Sequence, residues 1–162
     1  MTTDPAALAV LTQRIVRLYE DYADTLDNQD LEGWTGYFTD DCKYHVTARE
    51  NHEAGLAHAT MYCDGIGMVR DRANATRTVT VFEPRYLRHF LHRIRVESVA
   101  DGVIRSGASF MVIESVSDME PYVHTVGRYH DVLVDGPAGL RFRERIAVLD
   151  NHRIFNSLIF PV

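Results

Sequence analysis

The run Arg85-Tyr-Leu-Arg-His-Phe-Leu-His-Arg-Ile-Arg-Val96 limits the fold more than any other stretch, because it opens a half of the chain that reads as strand and turn throughout. From His92 onward the residues alternate, with His92, Ile94, Val96 and Ser98 on one face and Arg93, Arg95 and Glu97 on the other, the pattern of a half-buried strand. Upstream the alternation fails. Leu87 and Leu91 point opposite to Phe90, so both faces carry apolar residues with Arg88 and His89 set between them. A polar group there needs a partner, since leaving one buried and unpaired costs roughly 1–3 kcal/mol. Arg88 and His89 are therefore expected to be hydrogen-bonded.

The remaining strands follow from turn chemistry. Asp101-Gly102 predicts a tight hairpin into Val103–Val116, where Phe110-Met-Val-Ile113 is apolar on both faces like a central strand. Tyr122–Val134 predicts a third long strand, turned by Asp135-Gly-Pro-Ala-Gly139. Leu140, Phe142, Ile146 and Val148 then alternate with Arg141, Arg143 and Arg145. Three arginines on one strand face repel one another, so that row is expected to meet acids or a partner surface.

The first half is helical at its start. Asp4-Pro5 is a start signal, and Leu8, Leu11, Ile15, Leu18, Tyr22 and Leu26 recur at steps of three and four, predicting an amphipathic helix that ends near Asn28. Asp30 caps a second, shorter helix whose Leu31, Trp34 and Phe38 share a face, with Trp34 read as a core anchor. A first strand is expected over Cys42–Thr47, then a loop with short helical pieces over 48–67, a helix from Gly67 to Thr78 and an extended run closed by Pro84. Helices followed by an antiparallel meander make an α+β domain, in which a curved sheet wraps the first helix.

At 162 residues the chain is expected to be one domain, 1–162, able to close a core without staples. No apolar run approaches the roughly 18 residues of a membrane span. Met1-Thr-Thr-Asp-Pro5 lacks the basic and apolar regions of a signal peptide, which predicts a cytoplasmic protein with Cys42 and Cys63 as free thiols. A net charge of -6 argues against nucleic acid.

Eight histidines invite a metal, but His89 and His92 lie at odd separation on a strand and face opposite ways, as do Cys42 and His45. Neither pair chelates. No phosphate loop, nucleophile elbow or His-Glu-x-x-His occurs. One acid–base reading survives, in which Asp40, Asp41, His45 or His89 projects into a pocket as a general base; otherwise Asp40-Asp41 is a solvated turn and the histidines are structural.

The runs Tyr37-Phe-Thr-Asp-Asp-Cys-Lys-Tyr-His-Val46, Glu50-Asn-His-Glu-Ala-Gly-Leu56, Asp64 with Gly67-Met-Val-Arg-Asp-Arg72, Arg88-His89, Gly127-Arg128 with Asp131, and Arg143-Glu-Arg-Ile-Ala-Val-Leu-Asp150 together resemble one family. It is that of the small (beta) subunits of Rieske-type aromatic-ring-hydroxylating dioxygenases, in the branch acting on aromatic carboxylates such as terephthalate, salicylate and anthranilate. The resemblance covers nearly the whole chain from Tyr19 onward. It implies a cystatin-like, nuclear-transport-factor-like cone, with helices packed on a strongly curved, mostly antiparallel sheet. It also implies a non-catalytic subunit, with no catalytic, cofactor-binding or metal residues of its own, in a multicomponent dioxygenase. There a beta trimer sits beneath three alpha subunits in a heterohexamer. The alpha subunit would carry the Rieske two-iron two-sulfur cluster and the mononuclear Fe(II), and NADH would deliver electrons through a separate reductase. Arg88, His89, Arg128, Arg141, Arg143 and Arg145 are then subunit-interface or structural residues, the arginines forming intersubunit ion pairs. Many family members carry Asn where this chain has Arg93. Terephthalate is the expected substrate. The competing reading is a self-contained isomerase or dehydratase on the same cone using Asp41 and His45; a third is a pocket that binds a small aromatic without chemistry.

Overall fold

Asp4 accepts from the amide of Ala6 at 3.2 Å and Pro5 takes the first helical position, so α1 (Pro5–Asp27) starts where a carboxylate and a preset φ favour it. The computed structural model describes residues 4–155 and 157–162; Met1–Thr3, part of the stretch from which a cytoplasmic protein is expected, lie outside them. Ile15, Tyr19, Tyr22, Ala23 and Leu26 form the buried stripe of α1. Asp30 caps the short α2 (Leu31–Thr35), accepting from Gly33 N at 2.9 Å, and Leu31 and Trp34 are buried from it. Phe38, expected on the same helical face, instead opens β1 (Phe38–Ala48), so Asp40 and Asp41 lie within a strand and not in a turn.

The stretch after β1 holds α3 (Arg49–Glu53) and a strand that the sequence reading took for loop, β2 (Met61–Asp64). Four residues are too few for alternation to stand out, yet Met61 and Cys63 point inward and Tyr62 and Asp64 outward. α4 (Ile66–Thr78) follows, and 79–84 forms no regular element. β3 (Arg85–Ala100), β4 (Val103–Val116), β5 (Tyr122–Gly136) and β6 (Gly139–Leu149) complete the chain's elements. Asp101 and Gly102 both have positive φ, 51° and 75°, as a two-residue hairpin with the strands' own twist requires.

The six strands form one sheet in the order β2-β1-β6-β5-β4-β3, antiparallel except for the parallel pair β1–β6. α1 packs against β3 and β6, and α4 against β1 and β2, on the side of the sheet that holds the core. Among the described residues no helix is long and apolar enough to cross a membrane.

Bulges overturn two of the face assignments read from sequence. In β3 the burial alternates strictly where alternation seemed to fail: Arg85, Leu87 and His89 are buried while Tyr86, Arg88 and Phe90 are exposed. Further along, the register with β4 shifts between His92 and Arg95 and again between Val96 and Ser98; Ile94 and Val96 still pack on the core with Arg93, Arg95 and Glu97 exposed, but His92 and Ser98, expected beside Ile94, are exposed as well. In β6, Phe142 faces Leu133 and Glu144 faces Val132, which squeezes Arg143 out of the ladder. One extra residue flips every later side chain to the other face. The row of three arginines therefore does not exist: Arg145 turns into the core beside Phe142, while Arg141 and Arg143 stay part-exposed.

Candidate functional site

The inner side of the cone is filled by side chains. Tyr19, Tyr22, Trp34, Phe38, Tyr44, Tyr129 and Phe142 are all at most 2% exposed and meet mostly edge to face. Arg145 sits among them, 0% exposed, its guanidinium carbon 3.9 Å from the Phe142 ring centroid and 4.0 Å from that of Tyr129. It donates to Asp131 through Nε at 3.2 Å and Nη2 at 2.9 Å, and Tyr19 Oη donates to the same carboxylate. Burial opposes the guanidinium's charge, but Asp131 and the surrounding tyrosines outweigh it and raise the Arg145 pKa. Burial pushes the Asp131 carboxyl up, against the pull of Arg145. The pair forms inside this chain, with Arg145 Nη1 left among the rings without a hydrogen-bond partner, and at 0% exposure Arg145 is not presented to a neighbouring subunit.

The mouth of the cone is closed by residues 157–162. Tyr44 Oη donates to the Val162 oxygen at 3.1 Å and accepts from Val162 N at 2.9 Å, Tyr22 Oη adds a bond at 3.0 Å, and Arg72 Nη2 donates to the carbonyls of Leu158 and Ile159. Beneath them lies a recess of about 10 Å³ beside Glu114 and His124. That space is too small for any organic substrate. Glu114 is engaged by Arg85 at 2.8 Å and by Tyr122 Oη, whose pKa is pushed up to about 12 by burial and by that carboxylate. His124 Nδ1 stands 3.5 Å from Glu114, an electrostatic neighbour too distant for a good hydrogen bond.

An Asp–His pair does form, but between Asp27 and His89. Asp27 Oδ1 accepts from His89 Nδ1 at 2.7 Å, and the carboxylate also accepts the His89 backbone amide at 3.0 Å. The imidazole is 0% exposed, so solvent and substrate do not reach it. Arg88, on the opposite face and 65% exposed, reaches around the sheet's edge to 3.5 Å from the same carboxylate. Asp27 was not among the residues singled out from sequence; its signal was an acid in the last turn of a helix, where the dipole disfavours it unless a partner compensates.

The other candidates point away from the interior. Asp40 and Asp41 are exposed, and His45 lies on the outer face stacked on Tyr62 with centroids 4.2 Å apart. Burial lowers the His45 pKa. The postulated Asp41–His45 dyad is thus not assembled around a pocket. Arg128 is exposed on the outer face of β5, opposite Ser109 and Val148. Cys42 and Cys63 are free and buried, and burial pushes both thiols up, that of Cys42 to about 11.

The outer side of the sheet, by contrast, carries among the described helices the short α3 alone, whose His52 stacks on His130 of β5. At one end it exposes Tyr86 (75%), Phe90 (49%) and Val123 (50%), and the next positions across the strands are Met111 and Val126. Apolar area of this kind on a sheet face marks a surface for another protein.

A cone with a filled interior and an apolar outer face agrees with what the chain resembles. Residues 21–156 match the family model for the ring hydroxylating beta subunit. The chain is 31% identical over 148 residues to the anthranilate 1,2-dioxygenase small subunit of Burkholderia cepacia, covering 91% of this chain and 92% of that one. It is 35% identical over 130 residues to a terephthalate 1,2-dioxygenase terminal oxygenase beta subunit of Comamonas sp, covering 80% and 84%. The crystal structure of the beta subunit of a protein assigned as an aromatic-ring-hydroxylating dioxygenase, from Novosphingobium aromaticivorans, superimposes with a TM-score of 0.86 at 32% identity, over 95% of this chain and 98% of that one. Sequence, interior and backbone course converge: the chain belongs to the ring-hydroxylating dioxygenase beta subunit family.

Proposed function

We propose that this chain forms a trimer that carries three alpha subunits of an aromatic-carboxylate dioxygenase, contributing assembly and no reacting group. In that reading the alpha subunit holds the Rieske cluster and the mononuclear Fe(II) and takes electrons from NADH through a separate reductase. The observation that supports it is the division of the cone's two sides: an interior packed with rings around the Arg145–Asp131 pair, against a bare sheet face with Tyr86, Phe90 and Val123 exposed. A filled interior leaves nothing to bind a substrate, whereas an uncovered apolar face is costly unless a partner covers it.

The ligand of the assembled enzyme is proposed only as an aromatic carboxylate. Anthranilate and terephthalate, named in the relatives, stand equally close, the first by coverage and the second by identity. Co-expression with an iron–sulfur alpha chain tests the assembly: the two should co-purify as a heterohexamer, and replacing both Tyr86 and Phe90 by Ser should release the beta chain without unfolding it. A wild-type chain that stays monomeric and binds no alpha chain refutes the reading.

A further inference from the structure

Three guanidinium groups converge on the outer face with no carboxylate in salt-bridge range among the described residues: Arg93 and Arg95 at the β3 bulge, and Arg128 on β5. In a chain of net charge -6 this convergence runs against the average field. Glu97 stands in the same wall, but its carboxylate lies over Gly107, where a Cβ would meet Glu97 Oε1 at 3.0 Å. The bulge holds Arg93 at φ 56°, a left-handed conformation that Asn tolerates far better than Arg.

Arg128 and His130 are shared with a wider groove of about 380 Å³ that runs from β5 to α3. Val148 lies on its floor, and His52 of α3 stacks on His130 with centroids 5.2 Å apart and planes 25° from parallel. Arg49, Glu53 and Asp150 complete its lining, Arg49 being paired with Asp150, so the cationic end is the one at Arg128, where the groove meets the wall of Arg93 and Arg95, and the flat apolar and imidazole surface beside it suits a planar anion. A guanidinium pairs with a carboxylate through two parallel bonds, and the groove is of the size that holds small ligands.

We propose that this groove binds an aromatic carboxylate, with the carboxylate on Arg128 and Arg95 and the ring against Val148 and the His52–His130 pair. The choice of an aromatic acid rests on the function proposed above; the anion site itself rests on the three unpaired guanidiniums.

The test is calorimetric titration of the purified full chain with benzoate, cyclohexanecarboxylate and inorganic phosphate. Benzoate should bind saturably at one site per chain, Arg128→Gln should weaken it by about tenfold or more, and Arg95→Gln should weaken it by a smaller factor. Cyclohexanecarboxylate and phosphate should bind several-fold more weakly than benzoate, and Arg17→Gln, an exposed arginine on α1, should leave binding unchanged. Both test arginines are exposed, so thermal melts should stay near wild type and any loss of binding is local. No saturable benzoate binding, phosphate binding as tightly as benzoate, or an Arg128→Gln chain that binds as well as wild type each overturns the proposal. If benzoate fails to bind while Arg128→Gln and Arg95→Gln block co-purification with the alpha chain, the groove takes a partner's carboxylate and the small-molecule proposal falls. If benzoate fails to bind while co-purification is unaffected, this inference falls and the assembly function stands.

Discussion

Asp27, in the last turn of α1, closes the open edge of the sheet by accepting both the backbone amide and the ring Nδ1 of His89 on β3. β3 is an edge strand, and its outward amides and carbonyls would otherwise be free to pair with another chain. Gln29 completes the closure four residues back along the strand, donating from Nε2 to the Arg85 carbonyl at 2.7 Å. The tie between helix and strand thus satisfies two backbone groups of β3 and the Nδ1 of a buried imidazole.

Asp27→Ala should therefore destabilise the chain by about 2–4 kcal/mol, because it orphans a buried ring and an edge amide together. Urea denaturation of the isolated chain measures this. In the assembled enzyme, His89→Gln should lower the temperature at which the complex dissociates before it lowers turnover. A complex of normal size and stability with abolished turnover would contradict a structural role for His89.

Arg145→Met leaves Asp131 buried without its partner, and should cost about 3–5 kcal/mol. The double replacement Arg145→Met with Asp131→Leu should recover a large part of that loss, since it removes both charges from a site already walled by rings. A double-mutant cycle on denaturation midpoints reads the coupling; additive losses would show that the pair does not act as a unit.

His124 gives the stability a pH dependence. Burial lowers its pKa below the ordinary 6.5, the Glu114 charge opposes the shift, and Arg85 adds to it. Below about pH 6.5 the unfolded chain therefore takes up a proton that the folded chain resists, and stability falls as pH falls. His45 and His130 are shifted the same way, burial again being the first cause, so they share the slope. Denaturation midpoints should drop between pH 7.5 and pH 5.5, and His124→Gln should flatten that drop; a slope unchanged by the replacement would assign the effect elsewhere.

Gly127→Ala should be among the most damaging single-methyl changes. A Cβ at this position would stand 2.1 Å from the backbone oxygen of Val148 and 3.0 Å from the Phe110 ring. The obstacle is backbone of the neighbouring strand, which moves only if the β5–β6 ladder opens, so a loss of about 3 kcal/mol or more is expected. Hydrogen exchange localised to Arg128, Tyr129 and Val148 should report the opened ladder.

Several elements were legible because their signals are local. Asp4-Pro5 and the stripe Ile15, Tyr22 and Leu26 place α1, and Asp101-Gly102 places the β3–β4 hairpin. β2 was missed because four residues hold two alternations at most, and the start of β1 because Phe38 continues the helical spacing of Leu31 and Trp34. In the candidate site, the residues to watch were partly named, His89 and Arg145 among them, but not their partners: Asp27 lies 62 positions from His89 in sequence.

By itself the sequence determined the class of fold and the family, since helical and strand periods, turn residues and the runs around Asp40, Arg72 and Arg145 are properties of neighbouring positions. Only the tertiary structure decided which cations are spent inside and which stay unpaired on the surface. Alternation is blind to a bulge whose cause is the register of the adjoining strand, so Arg145 reads as the sibling of Arg141 and Arg143 until β5 slips by one residue against β6. That slip, set by packing between strands and not by anything within Arg141–Arg145, turns Arg145 into the ring-lined core and leaves Arg93, Arg95 and Arg128 as the cations without an internal acid.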